Sequence, residues 1–299
     1  MGSKRTTSRR SWSEPGLRAR LVALMDTVFP GVNDVIERAR ALGAAWEDVT
    51  TPFVASTEDG PVSQVSVMRF TMLLDGTQAD VGCLHAVCTH PGHRRKGHYA
   101  SAMRAALAFC DERYPAALLC TAQPELYEPF GFRVVDEHKV VSDVAARFDR
   151  RSMRPLRLAE ARDRAVFQRL ASRRAPLSRK LGVTGPATVF VVNEPDRPLV
   201  YAEDLDAIVS MEIAGDPLCL YDVVAAELPP LDEILRRLPA PVRRVELFAC
   251  PDGVGLAGGA EPHVFVDGDD ALGGAGASRL MVRGPFPEGP LMLPRPFRC

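Results

Sequence analysis

The sequence has no apolar run approaching a membrane span, and no apolar region follows its charged start as a signal peptide requires. It has no G-x-x-x-x-G-K-S/T phosphate loop, no G-x-G-x-x-G after a strand, no C-x-x-C and no His/Cys cluster of zinc-site spacing. Net charge is nearly absent as well: 37 Lys and Arg face 38 Asp and Glu, which argues against a general nucleic-acid binder. Nucleotide-binding folds of those two kinds, a zinc site and a transmembrane protein are therefore not expected. The seven cysteines are odd in number and scattered, which reads as reduced thiols in a cytoplasmic protein.

What is present is concentrated at Val81–Ala100, VGCLHAVCTHPGHRRKGHYA. Val81, Cys83, His85 and Val87 alternate with Leu84, Ala86 and Cys88, the pattern of a buried strand. The run breaks at Thr89-His90-Pro91-Gly92, passes through Arg94-Arg95-Lys96-Gly97, and becomes helical through Arg113. Ala102, Met103, Ala106, Leu107 and Cys110 mark the buried face of that helix. A strand running into a basic, glycine-containing turn at a helix N-terminus is an anion seat. First-turn amides have no helical partner, the peptide dipoles favour negative charge, and Gly97 removes the Cβ that would keep a phosphate away.

Elsewhere in the first half, Leu17–Val28 and Val32–Leu42 read as amphipathic helices split at Phe29-Pro30-Gly31. Phe53–Ser56, Ser63–Leu74 and Asp80–Thr89 read as strands, with a hairpin turn at Asp75-Gly76. Pro115–Thr121 is another buried strand, followed by a short helix near Glu125 and a strand at Lys139–Val144. Residues 1–15 read as a disordered basic tail, and the charged stretch Arg147–Pro155 marks a boundary. The chain thus divides into three segments: 1–15, 16–147 and 148–299.

Beyond the boundary, a helix at Ala159–Ala171 and strands at Thr188–Asn193, Leu199–Glu203, Ala207–Ile213 and Leu218–Ala225 are expected. A short helix at Leu231–Leu238 and strands at Arg243–Cys250 and His263–Val266 complete the pattern. The order partly echoes the first half. At the place of the phosphate turn, however, stands Ala226-Glu227-Leu228-Pro229-Pro230, an acid with two prolines that offer no N–H. Asp267-Gly268-Asp269-Asp270 lacks the spacing of a calcium loop and reads as an exposed acidic turn.

The basic turn resembles the acetyl-CoA motif of the GNAT acetyltransferase superfamily, Q/R-x-x-G-x-G/A, on Arg94, Gly97 and Tyr99. Tyr99 departs from the small residue usual there, as it does in members similar to the Eis acetyltransferases. Tyr127, Gly131 and Phe132 resemble the GNAT segment whose tyrosine faces the CoA sulfur. The resemblance covers roughly residues 15–146. It implies a mixed α/β, mostly antiparallel sheet with flanking helices, followed by a degenerate GNAT-like or unrelated α/β domain. It also implies acetyl-CoA as cosubstrate, without a metal. Val87, Cys88 and Thr89 would pair with the pantetheine arm, and Arg95, Lys96, Gly97, His98, Tyr99 and Ala100 would hold the pyrophosphate.

Acetyl transfer to an amine needs a base, an oxyanion donor and an acid for the thiolate. Tyr127 is the candidate acid. His85 is the candidate base, nine residues before Arg94, as in arylalkylamine-type GNAT enzymes; Cys83 stands where those carry a companion histidine. The terminal PRPFRC reads either as a frayed end or as a carboxylate folded back to the site, as in Eis-like enzymes; a Cys299 nucleophile is a weaker reading. Phe29, Trp46 and Glu47 of the N-terminal helical region, together with the second domain, are candidates for the acceptor pocket, and two of His90, His93 and His98 for the CoA phosphates. The resulting reading is an N-acetyltransferase acting by direct transfer on a small-molecule or peptide amine, with no nucleic-acid or membrane partner and with homo-oligomerisation open. A non-catalytic acyl-CoA sensor or scaffold is the alternative.

Overall fold

The computed structural model of the chain describes residues 6–145, 153–213, 217–266 and 277–298. The first half contains β1 (Thr6–Arg9), α1 (Leu17–Val28), α2 (Val32–Ala41), β2 (Thr50–Thr57), β3 (Gly60–Leu74) and β4 (Thr77–Thr89). Then come α3 (His98–Asp111), β5 (Ala117–Thr121), β6 (Arg133–Val134) and β7 (Glu137–Asp143). The second half contains β8 (Arg154–Pro155), α4 (Ala161–Ala171), β9 (Leu181–Gly185), α5 (Ala187–Asn193), β10 (Leu199–Ala202) and β11 (Ala207–Ile213). It ends with β12 (Pro217–Val224), α6 (Leu231–Leu235), β13 (Arg244–Leu247), β14 (Gly259–His263) and β15 (Arg279–Arg283).

These strands form two mixed, mostly antiparallel sheets. The first runs β1-β2-β3-β4-β5-β15-β6, with β9 joined to β3. The second runs β14-β7-β13-β12-β11-β10-β8. Each sheet therefore takes strands from the other half of the sequence. β15 pairs with β5 from Arg279↔Thr121 to Arg283↔Ala117, and β7 pairs with β13 from Arg244↔Asp143 to Leu247↔Val140. The boundary near residue 147 separates the halves in sequence but not in sheet membership. A shared apolar cluster joins them further, with Met68, Phe70 and Met72 of β3 packed among Phe167, Leu170, Phe190 and Phe297.

Local chemistry accounts for the elements that position the site. The β3–β4 hairpin turns at Asp75 (φ 48°) and Gly76 (φ 80°), two positive-φ residues of the kind a tight twisted hairpin requires. Ala102, Met103, Ala106, Leu107 and Cys110 of α3 are buried against Phe53, Val65, Val67 and Leu84. Gly82 permits that approach, because a Cβ there would lie 2.9 Å from both Cys110 Sγ and a Tyr114 ring carbon.

Several segments differ from their sequence reading. Thr6–Arg9 is an edge strand on β2, not part of a disordered tail, and Thr7 Oγ1 lies 2.8 Å from Ser101 Oγ. Short β-compatible polar segments order once a paired edge supplies their hydrogen bonds. Thr188–Asn193 lies in helix α5, while the strand is β9, just before it; a short apolar run buried on every side has no period to distinguish the two. The strand near His263 is Gly259–His263. The chain end is not frayed as far as Arg298: Arg295 and Phe297 are each 1% exposed and Arg298 is fully buried. Most of the Arg147–Pro155 stretch, the Asp267–Asp270 turn and Cys299 lie outside the described residues.

Candidate active site

β4 and β5 pair in parallel only through Gly82↔Ala117 and Cys83↔Leu118, and then splay apart. The gap exposes main chain on both strands. On its other edge β4 is paired with β3, where the register shifts between Gln64↔Cys88 and Ser66↔His85, so one extra residue sits in β4. Ala86, at φ 49°, takes up the bulge. This corrects the simple alternation read from the sequence. Val87 joins Leu84 on the face toward α3, while Ala86 and Cys88 pack with α1 and α2.

A cavity of about 790 Å³ fills the gap. One end is the N-terminus of α3. Gly97 (φ 81°) precedes that helix, and the first helical bond runs from the Ser101 N–H to the Gly97 carbonyl. The amides of His98, Tyr99 and Ala100 thus lie in the turn where a helix has no internal acceptors. Arg94 and Arg95 line the same end. Anion binding is the chemistry such a terminus offers.

Of the residues assigned to the cofactor, Val87, Cys88, Thr89, Arg95, Gly97, His98, Tyr99 and Ala100 all line the cavity. Lys96 does not; its Nζ donates to the Gly92 carbonyl at 2.8 Å and braces the turn. His93 and His98 line the wall with ring centroids 6.0 Å apart. His90 instead accepts the Gly92 N–H on Nδ1 at 3.2 Å.

Tyr127 and His85 lie on the same cavity. Tyr127 sits between two short 3₁₀ turns, its ring edge-on to Tyr99 at 6.3 Å. Burial pushes its phenol up to about 12, with a hydrogen bond to Thr121 opposing, so the group is protonated at neutral pH. The Tyr99 hydroxyl donates to the Leu126 carbonyl at 2.8 Å and is also pushed up by burial. His85 is buried, packs edge-on against Trp46 at 4.6 Å, and has Nε2 3.4 Å from Thr50 Oγ1. Its Nδ1 has no hydrogen-bond partner. Desolvation pulls its pKa down to about 3, so the imidazole is neutral at physiological pH. Burial pushes Cys88 up to about 12, which keeps it a thiol rather than a nucleophile.

The opposite end is made by the α1–α2 region. Phe29 and Trp46 line it as expected; Glu47 does not, being paired with Arg18 (2.9 Å) and with Arg40. The second half of the chain adds Val192, Val266, Ser278 and Arg298. A contribution from the second half, and a chain end folded back to the site, were open readings of the sequence; which residues arrive here is set by tertiary packing. Arg298 is fixed by two 2.8 Å contacts from Nη1 to the Glu137 carboxylate, by the Ser278 carbonyl at 3.0 Å, and by the Phe265 ring at 4.3 Å. Among the described residues no group of three or more His, Cys, Asp or Glu side chains could hold a metal ion, and no helix is long and apolar enough to cross a membrane.

Residues 17–135 match an acetyltransferase (GNAT) domain family. No curated protein matches the chain by sequence. Among solved structures, a probable N-acyltransferase from Enterococcus faecalis is similar at 12% identity and TM-score 0.58, covering 94% of this chain and 72% of that one. Eis1 from Mycobacterium abscessus is similar at 13% identity and TM-score 0.55, covering 92% and 73%. A GCN5-related N-acetyltransferase from Kribbella flavida is similar at 17% identity and TM-score 0.54, covering 94% and 71%. At such identities these likenesses establish the fold. Residues 17–135 thus carry the match to the GNAT acetyltransferase family, and the overall fold of the chain is similar to that of these three structures.

Proposed function

We propose that the protein is an acetyl-CoA-dependent N-acetyltransferase that moves the acetyl group directly to an amine within a ternary complex. The observation that carries this reading is a single cavity running from the α3 N-terminus, through the β4–β5 gap, to the α1–α2 wall. In it the first-turn amides with Arg94 and Arg95 hold the diphosphate of CoA, and main chain at Val87–Thr89 receives the pantetheine arm as an added strand would.

The neutral amine attacks the thioester carbonyl. The N–C bond forms, the C–S bond breaks, and Tyr127 gives its proton to the departing thiolate. His85 presents a neutral imidazole whose Nδ1 can accept a hydrogen bond from the amine. Because an imidazolium there is so disfavoured, its role is to orient the amine, and the proton that the nitrogen loses passes through solvent to the Tyr127 phenolate and restores the phenol. The six cysteines among the described residues are thiols, which suits the reducing cytoplasm in which acetyl-CoA is available.

Titration calorimetry with acetyl-CoA, followed by thiol release in the presence of amines, tests the reading. Tight binding with amine-dependent release is the expected result. Binding without release under any amine would make the protein an acyl-CoA sensor, and no binding would remove both readings.

A further inference from the structure

We propose that the acceptor is a singly charged amine on an apolar body, an arylalkyl or alkyl amine, and not a polycation. This rests on the acetyl-transfer reading above and narrows its substrate class.

The acceptor end is walled by Met25, Val28, Phe29 and Ile36 from the α1–α2 hairpin and by the Trp46 indole, with Val192 closing it from the other half. Leu126 is 43% exposed and Val266 is 59% exposed, and both line the cavity, although large hydrophobic side chains are otherwise covered over nearly all the described surface. Exposed apolar groups on a cavity wall are a surface suited to an apolar ligand.

Polar groups at this end are few. His85 contributes one buried nitrogen without a partner. No carboxylate lines the cavity among the described residues; its charged side chains are Arg94, Arg95 and Arg298, the last neutralised by Glu137. Glu47 is held by Arg18 and Arg40. A polycation would carry additional ammonium groups into a wall whose described side chains offer them no counter-charge, whereas an apolar body is favoured by leaving water. An apolar wall also lowers the pKa of the bound amine, since desolvation penalises the ammonium. It therefore helps supply the free amine that attack requires, where His85 is too weak a base to extract the proton from an ammonium ion by itself.

The test compares thiol release from acetyl-CoA with phenethylamine, tryptamine and hexylamine against spermidine and kanamycin. The expected kcat/KM for the apolar amines exceeds that for the polycations by at least about tenfold. Equal or better turnover of the polycations overturns this proposal and leaves acetyl transfer standing. Release with none of the amines, despite acetyl-CoA binding, overturns acetyl transfer and this proposal with it. As a second arm, Phe29→Glu should raise KM for phenethylamine about tenfold and lower it for spermidine, with acetyl-CoA affinity unchanged. An unchanged KM for both amines in a folded variant would contradict the assigned wall.

Discussion

The two sheets hold the same unit, a strand, a turn, a helix and a parallel strand, yet only one of them holds an open anion seat. In the first, β4 leads through a basic turn to the 14-residue α3 preceded by Gly97, and pairs with β5 at two positions before the strands diverge. In the second, β12 leads through Ala226–Pro230 to the five-residue α6, which begins at Leu231 and carries Asp232 and Glu233 in its first turn. There the parallel pairing runs over four positions, Pro217↔Arg244 to Leu220↔Leu247, and Phe248 N–H continues it to the Leu220 carbonyl at 2.9 Å.

Both units even share a bulge. In β4 it lies at Ala86; in β12 the register shift between Ser210↔Asp222 and Met211↔Leu220 leaves Tyr221 as the extra residue. The surroundings of the two bulges differ. Beside Ala86 is the cavity, whereas Tyr221 is covered by the Arg295 guanidinium at 3.4 Å from its ring and by Phe248, and Asp222 pairs with buried Arg174 at 2.8 Å. Topology alone therefore does not open a cavity at the helix start. An early splay and a glycine in the left-handed region before the helix accompany the open one, and the second unit has filled the corresponding space with its own side chains.

Breaking the seat should have the largest effect. Gly97→Glu places a carboxylate where the diphosphate would sit and strains a φ of 81°, so CoA affinity should fall about 1000-fold by calorimetry. Glu227→Gly in the second unit should leave the stoichiometry at one CoA per chain. Next in size is the weld between halves: Arg298→Met strands the buried Glu137 carboxylate and should cost about 3 kcal/mol in urea unfolding. Retained stability would show that the Arg298–Glu137 pair contributes little to joining the sheets.

Tyr127→Phe removes the proposed proton donor while keeping its packing. It should lower kcat about 100-fold with acetyl-CoA affinity unchanged, and full activity would remove Tyr127 from the mechanism. The smallest effect concerns His85. Its unfolded imidazole titrates near 6.5 and the folded one at about 3. Between those values the unfolded chain binds more protons, so stability falls as pH drops through that window. Wild type should lose about 1 kcal/mol more per pH unit than His85→Gln between pH 6 and 5, read from urea unfolding at each pH. Parallel curves would mean that solvent reaches the ring.

The sequence by itself determined the elements whose signal is local. Gly97 after a basic turn, the three-and-four spacing from Ala102 to Cys110, and Asp75-Gly76 between alternating runs each act within a few residues, so strand, seat and hairpin were legible before folding. The bulge at Ala86, the exchange of β7 and β15 between sheets, the burial of Pro294–Arg298 and the four residues lent to the cavity by the second half were decided only by tertiary structure. Each depends on partners distant in the chain or on which face packs against what, and neither leaves a period in the sequence. His85 shows the division within one residue: the sequence placed an imidazole on the strand, and the fold, by removing water around it, set what that imidazole can do.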